Sequence, residues 1–294
     1  MFKGVATAMI TPFENTGDVD YDAMHRFIEF QIKAHIDALV VLGTTGEAST
    51  VSDEERMEII KFVIEKAAGR TKIIVGTGTN DTKKVTLNNK MAQELCADGV
   101  LIVNPYYNKS SQAGIFEHYK YISQRTDLPI ILYNVPSRTG MNIAPETAVK
   151  IAQACPNVVG IKEASGNISQ IASLMSIKPQ EFKVYSGNDD QTVPIMALGG
   201  DGVISVFSNI CPVEMKWIAD SILNNDMQTA RSINNKYLEL MNLLFVDVNP
   251  VPVKYAASLM NFTSDYVRLP LIPLCDKHRQ VLSDKMKELN IVCC

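Results

Sequence analysis

The chain has 294 residues, 46% of them hydrophobic, a formal charge of −4 and an isoelectric point near 5.6. That length and apolar content suffice for one barrel-sized core with an appendage, and the charge offers no basic field to a phosphate backbone, so nucleic acid is not an expected partner. The apolar opening Val5-Ala6-Thr7-Ala8-Met9-Ile10 is too short for a signal-peptide core and no run reaches the ~20 residues of a membrane span, which predicts a soluble cytoplasmic protein.

Short Val- and Ile-rich runs alternate with helical stretches along most of the chain, the pattern of parallel strands buried on both faces. The predicted strands are Val5–Ile10, Ala38–Leu42, Ile73–Gly76, Gly99–Val103, Pro129–Tyr133, Val158–Ile161 running into Lys162, Lys183–Tyr185 and Gly202–Val206. Between them, Asp20 caps a helix over Tyr21–Gln31, Ser52 with Glu55 forms a capping box, and Pro145 opens a helix ahead of Glu146–Ala154. Eight such units predict a closed (β/α)8 TIM barrel over residues 1–224. Strand signals stop near Asn225, and helices over Met227–Phe245 and Tyr255–Phe262, broken by Asn249-Pro250-Val251-Pro252, predict a C-terminal helical extension over residues 225–294. A doubly wound dinucleotide fold is disfavoured because Gly76-Thr77-Gly78 lacks the third glycine of its fingerprint.

Barrel enzymes carry their chemistry at the C-terminal ends of the strands, and unusual polar residues gather there. They are Gly43-Thr44-Thr45-Gly46-Glu47, Asn104-Pro105-Tyr106-Tyr107-Asn108, the stretch from Tyr133 to Gly140, Lys162-Glu163 and Ser186-Gly187-Asn188-Asp189. Lys162 interrupts an apolar strand at a position whose alternation points it into the barrel; the competing reading is a strand that has already ended and a solvated lysine. Desolvation disfavours an ammonium, so a lysine held inside attacks a ketone as the free amine. The turn at Gly43–Gly46 serves either the backbone alone or, through successive N–H groups and two threonine hydroxyls, a small carboxylate. Tyr133 is either a core aromatic or a phenol that moves protons beside the amine.

Other chemistries lack their signatures. No G-x-S-x-G and no Gly-Lys dipeptide occurs, and His25, His35, His118 and His278 are scattered over helical stretches as surface or core residues. Cys96, Cys155, Cys211, Cys275, Cys293 and Cys294 form no metal-ligand spacing, so no metal or cofactor is expected, and the terminal Cys293-Cys294 pair is assigned no role. Lys254, following Pro250 and Pro252, is expected to be solvated.

These residues, in this order, resemble the dihydrodipicolinate synthase branch of the N-acetylneuraminate lyase superfamily, through Gly43–Glu47, Asn104–Asn108, Tyr133–Gly140, Gly160–Glu163 and Gly202-Val203-Ile204-Ser205. The resemblance spans nearly the whole chain. It implies an imine between Lys162 and pyruvate, an enamine that attacks the aldehyde of L-aspartate 4-semialdehyde, and transimination that releases cyclic 4-hydroxytetrahydrodipicolinate on the way to diaminopimelate and lysine. It further implies that Thr45 and the Thr44–Thr45 backbone hold the pyruvate carboxylate, that Tyr133, Thr44 and Tyr107 relay protons with Tyr107 entering from a neighbouring subunit, and that Gly187 and Ile204 line the pocket. A homotetramer of two tight dimers is the implied assembly. The shared turn, tyrosine and lysine fix the mechanism but leave the substrate open to another pyruvate aldolase, such as a neuraminate or 2-keto-3-deoxy sugar-acid lyase. Arg138 favours a second carboxylate through its bidentate fork. A non-catalytic sensor is a third reading, but it would need none of Lys162, Tyr133, Thr44, Thr45 and Tyr107 together.

Lysine-sensitive members of the branch bind lysine in a dimer-interface cleft that matches Asn80 and Tyr106 here, usually with Ser, His, His and Glu where this chain has Ala48, Asp53, Arg56 and Lys84. Like charges about 5 Å apart cost on the order of 3 kcal/mol at an effective dielectric near 20, so Arg56 and Lys84 are expected to repel an ammonium. Pairing of Asp53 with Arg56 is expected to offset part of this.

Overall fold

Residues 1–292 are described by the computed structural model, and the Cys293-Cys294 pair lies outside the described residues. The strands β1 (Gly4–Ala8), β2 (Ala38–Val41), β3 (Lys72–Gly76), β4 (Gly99–Val103), β5 (Ile130–Asn134), β6 (Val158–Glu163), β7 (Lys183–Ser186) and β8 (Gly202–Ser205) pair in chain order into a closed parallel barrel. Closure demands a close approach of β8 to β1. A Cβ on Gly202 would stand 1.9 Å from the Gly4 carbonyl oxygen, so glycine is required there.

The first four helices are α1 (Tyr21–Lys33), α2 (Asp53–Ala67), α3 (Thr82–Glu94) and α4 (Gln112–Ser123). The turn-long α5 (Pro136–Thr139) follows β5, and α6 (Pro145–Ala154), α7 (Ile168–Ile177), α8 (Thr192–Ala197) and α9 (Pro212–Leu223) complete the crossovers. Then come α10 (Met227–Leu243), α11 (Val251–Leu259) and α12 (Asp276–Glu288), so the barrel carries C-terminal helices as expected. Asp20 accepts from the Ala23 amide at 2.8 Å, and Ser52 and Glu55 cap each other's amides at 3.2 and 2.9 Å.

All eight predicted strands form, with ends shifted by a residue or two. The first stops at Ala8 instead of Ile10 because the Ile10 amide is taken by the Asn209 side chain at 3.1 Å. The second C-terminal helix starts at Val251, with proline in its first turn, where the prolines were expected to break the chain. The last helix, α12, has no predicted counterpart, since it buries Leu282 and Met286 alone and shows no wide apolar stripe.

Lys254 overturns its expectation. It is wholly buried on α11, with Nζ 2.7 Å from Glu47 Oε1 and 4.1 Å from the Phe13 ring centroid. Because the prolines begin a helix rather than a loop, they carry the lysine inward, where Glu47 supplies the compensating charge. Burial pulls the amine down to about 8 against the opposing pull of Glu47.

Two apolar regions result. A large one fills the space between strands and helices, while a smaller one inside the barrel is built from residues such as Ala6, Val40, Ile74, Leu101, Ile131, Tyr133, Tyr185 and Ile204. The second is the floor on which the site stands.

Candidate active site

Strand alternation decides which way Lys162 points. Tyr133 on β5 and Tyr185 on β7 are its register partners, and both belong to the barrel interior. Lys162 is 5% exposed, and its Nζ stands 4.4 Å from the centroid of the Tyr133 ring. The solvated reading is thereby excluded. Tyr185 is not free for chemistry, because its hydroxyl donates to the Phe2 carbonyl at 2.7 Å. Ile204 is fully buried in the same interior set. Gly187 abuts the lysine: a Cβ there would lie 3.1 Å from Lys162 Cε and 2.6 Å from Ala164 Cβ.

The next residue in the strand faces the other way. Glu163 accepts from Asn134 Nδ2 at 3.0 and 3.2 Å and from the Ser165 amide at 2.9 Å, which ties the ends of β5 and β6 together outside the interior. Burial raises this carboxyl, with the Ser165 and Asn134 hydrogen bonds opposing. Asp189, also buried, accepts from the Val206 and Phe207 amides at 3.1 and 2.8 Å and so fixes the exit of β8. Burial pushes its carboxyl up to about 6, and hydrogen bonds and the Lys162 charge pull the other way.

After β2 the chain makes a compact turn. The Gly46 amide donates to the Gly43 carbonyl and the Glu47 amide to the Thr44 carbonyl, each at 3.1 Å, while the amides of Thr44 and Thr45 have no acceptor among the described residues. Two free neighbouring N–H groups form an anion nest. Thr11 clamps the turn by donating to the Gly46 carbonyl at 2.7 Å. Thr45 is buried and accepts from Asn249 Nδ2 at 2.9 Å.

A cavity of about 570 Å³ opens over this floor, lined by Thr44, Leu101, Val103, Tyr133, Val135 and Arg138 among others. Arg138 is exposed and donates from Nη2 to the Asn249 carbonyl at 3.2 Å, which holds the guanidinium at the rim. Ala48, Asp53, Arg56, Lys84 and Tyr106 line the same cavity. Asp53 does not pair with Arg56, as the sequence suggested, but with Lys84 at 2.5 Å. Arg56 is buried and spends its Nη atoms on the Gly76 and Ala48 carbonyls at 3.3 and 3.0 Å, while Asp53, three residues earlier on α2, is held by Lys84 from α3.

Thr44, Tyr133 and Arg138 thus share one cavity, and Lys162, Gly187 and Ile204 meet in the barrel interior that Tyr133 joins to it. Tyr107 is not brought in. It stands 91% exposed in a left-handed backbone conformation, φ 69°, at the loop after β4. Sequence reasoning missed Asn249 and the Glu47–Lys254 pair, which flank the turn from across the chain. Neither carries a local signal beyond a buried-looking glutamate inside a glycine turn.

The Dihydrodipicolinate synthetase family model matches residues 1–289. A curated relative from Thermotoga neapolitana, named 4-hydroxy-tetrahydrodipicolinate synthase, is 48% identical over 99% of this chain and 100% of its own. The crystal structure of dihydrodipicolinate synthase from Thermotoga maritima is 46% identical, covers 99% of this chain and 100% of that one, and superposes with a TM-score of 0.98. A dihydrodipicolinate synthase from Cyanidioschyzon merolae, solved with lysine bound, is 37% identical over 99% of each chain with a TM-score of 0.96.

Because a methyl group at position 187 collides with Ala164 and crowds the lysine stem, Gly187→Ala is expected to misplace the amine. Turnover with pyruvate and L-aspartate 4-semialdehyde should fall about a hundredfold, the scale of a 1 Å misplacement, with the circular dichroism spectrum unchanged. Near-parental turnover would show that the pocket tolerates a side chain there.

Proposed function

The chain belongs to the dihydrodipicolinate synthetase family, and on that premise we propose that Lys162 is the nucleophile of its reaction. It is a Schiff-base-forming enzyme that condenses pyruvate with L-aspartate 4-semialdehyde in lysine and diaminopimelate biosynthesis. The observation that carries the assignment is an amine buried in the barrel interior against the Tyr133 ring. The Lys162 amine adds to the pyruvate ketone, the carbinolamine loses water to give the imine, and loss of a methyl proton gives the enamine. The enamine carbon then bonds to the aldehyde carbon, whose oxygen takes up a proton. Attack of the semialdehyde's own amine on the imine closes the ring and returns Lys162 as the free amine.

Around that sequence each group has a task. The Thr44 and Thr45 amides and the Thr45 hydroxyl hold the pyruvate carboxylate, Tyr133 and Thr44 pass protons to and from the departing water and new alcohol, and Arg138 takes the second carboxylate at the rim. Gly187 and Ile204 shape the pocket beside the imine. Tyr107 acts in trans, completing the relay of the partner subunit within a tight dimer, and two such dimers form the tetramer; its exposure and left-handed backbone suit a side chain held out for a neighbour. The described cysteines Cys96, Cys155, Cys211 and Cys275 are free thiols, as suits the cytoplasm. In the same cavity, Asp53 is shared by two cations, in salt-bridge contact with Lys84 and within coulombic reach of Arg56, so the three together carry a net positive charge, which disfavours an ammonium ligand.

Borohydride reduction in the presence of pyruvate should add one reduced pyruvate unit to the peptide carrying Lys162. Lys254, the other lysine buried among the described residues, should stay unmodified because Glu47 occupies it; an adduct there or on any other lysine defeats the assignment. Mixing inactive Tyr107→Phe subunits with inactive Lys162→Ala subunits should restore turnover in hybrid dimers, and hybrids that form without activity would place both residues in one subunit's site. Free L-lysine at physiological concentration should leave turnover unchanged. Sub-millimolar inhibition with a matching heat of binding would show that the Arg56 side of the cavity accepts an ammonium after all.

A further inference from the structure

Asn249 lies between α10 and α11, 204 positions from Thr45 in sequence, and is buried against it. A threonine hydroxyl has one proton to give and lone pairs to receive. At Thr45 the receiving role is filled by Asn249 Nδ2 at 2.9 Å, and the hydroxyl proton has no acceptor among the described residues. The amide orientation is itself constrained. As it stands, Asn249 leaves a buried carbonyl oxygen without a partner; turned over, it would bury an unpaired NH2, the rarer orphan. The asparagine segment is also held firmly, because its main-chain carbonyl accepts from Arg138 at 3.2 Å while Lys254, one turn into α11, grips Glu47 at the end of the same turn.

We propose that Asn249 is a positioning residue that fixes the Thr45 hydroxyl as a donor aimed at the carboxylate of pyruvate. This rests on the reading above that Thr45 holds that carboxylate. The side chain of Asn249 then serves pyruvate, and its main-chain carbonyl, through Arg138, serves the second substrate. Side-chain substitutions therefore separate the two.

In Asn249→Asp the shape is kept, but the new carboxylate accepts the Thr45 proton and sets a negative charge beside the substrate's own. The pyruvate concentration that half-saturates borohydride trapping should rise about tenfold or more, with the KM for L-aspartate 4-semialdehyde within about twofold of the parent. Asn249→Ala, which frees the hydroxyl to rotate, should raise pyruvate half-saturation about three- to fivefold, and it carries the test if the aspartate variant does not fold. In a Thr45→Val background Asn249→Ala should add nothing, since the hydroxyl it directs is gone. Unchanged pyruvate half-saturation in the alanine variant, or equal shifts for both substrates, overturns the proposal while leaving Thr45 in place, provided Thr45→Val alone weakens pyruvate. If Thr45→Val leaves pyruvate binding unchanged, the role of Thr45 fails and this proposal falls with it.

Discussion

The site depends on one geometric constraint: in a closed parallel barrel, register partners on adjacent strands send their side chains to the same side of the sheet. Lys162, Tyr133 and Tyr185 are such partners, so the amine enters a space bordered by apolar side chains such as Val40, Ile74, Ile131 and Ile204. The neighbouring residues follow from that placement. Glycine stands at 187 because the lysine stem passes there, an aromatic face at 133 borders the lysine nitrogen, and the carboxylate that shares strand β6 is turned outward into its own hydrogen-bond network.

Two lysines are buried among the described residues, and their surroundings assign them opposite fates. Lys254 touches a carboxylate whose second oxygen is held by the Arg268 amide at 3.0 Å, so its charge is used up within the structure. Removing either member of such a pair leaves a buried charge without compensation, at a cost of about 3–5 kcal/mol. Lys162 has no carboxylate in salt-bridge contact among the described residues and faces the Tyr133 ring instead. An amine held that way is available to a ligand, whereas the paired one serves as a rivet between α11 and the turn after β2.

How much of this was legible in the sequence follows from how local each signal is. The strands were readable because runs such as Val100–Val103 or Ile130–Leu132 are apolar on both faces, and the inward direction of Lys162 followed from alternation alone. The burial of Lys254 was not readable, because prolines at 250 and 252 are equally at home in a loop or in a first helical turn, and its partner Glu47 lies 207 positions away. The pairing of Asp53 with Lys84 rather than Arg56 depends on the relative placement of α2 and α3. Asn249 stayed hidden for the same reason: a hydrogen bond spanning 204 positions leaves no periodicity behind.

The clasp on the turn after β2 also sets an order of events during synthesis. Every residue proposed to touch substrate within a subunit has been made by the time β8 leaves the ribosome, yet the groups that steady Thr45 and Glu47 lie at Asn249, Lys254 and Arg268. Chains emerge N-terminus first, so the lysine and the tyrosine are made while the turn after β2 still lacks its fasteners. The geometry of that turn is therefore completed from the C-terminal part of the chain, by residues that lie outside the eight strands.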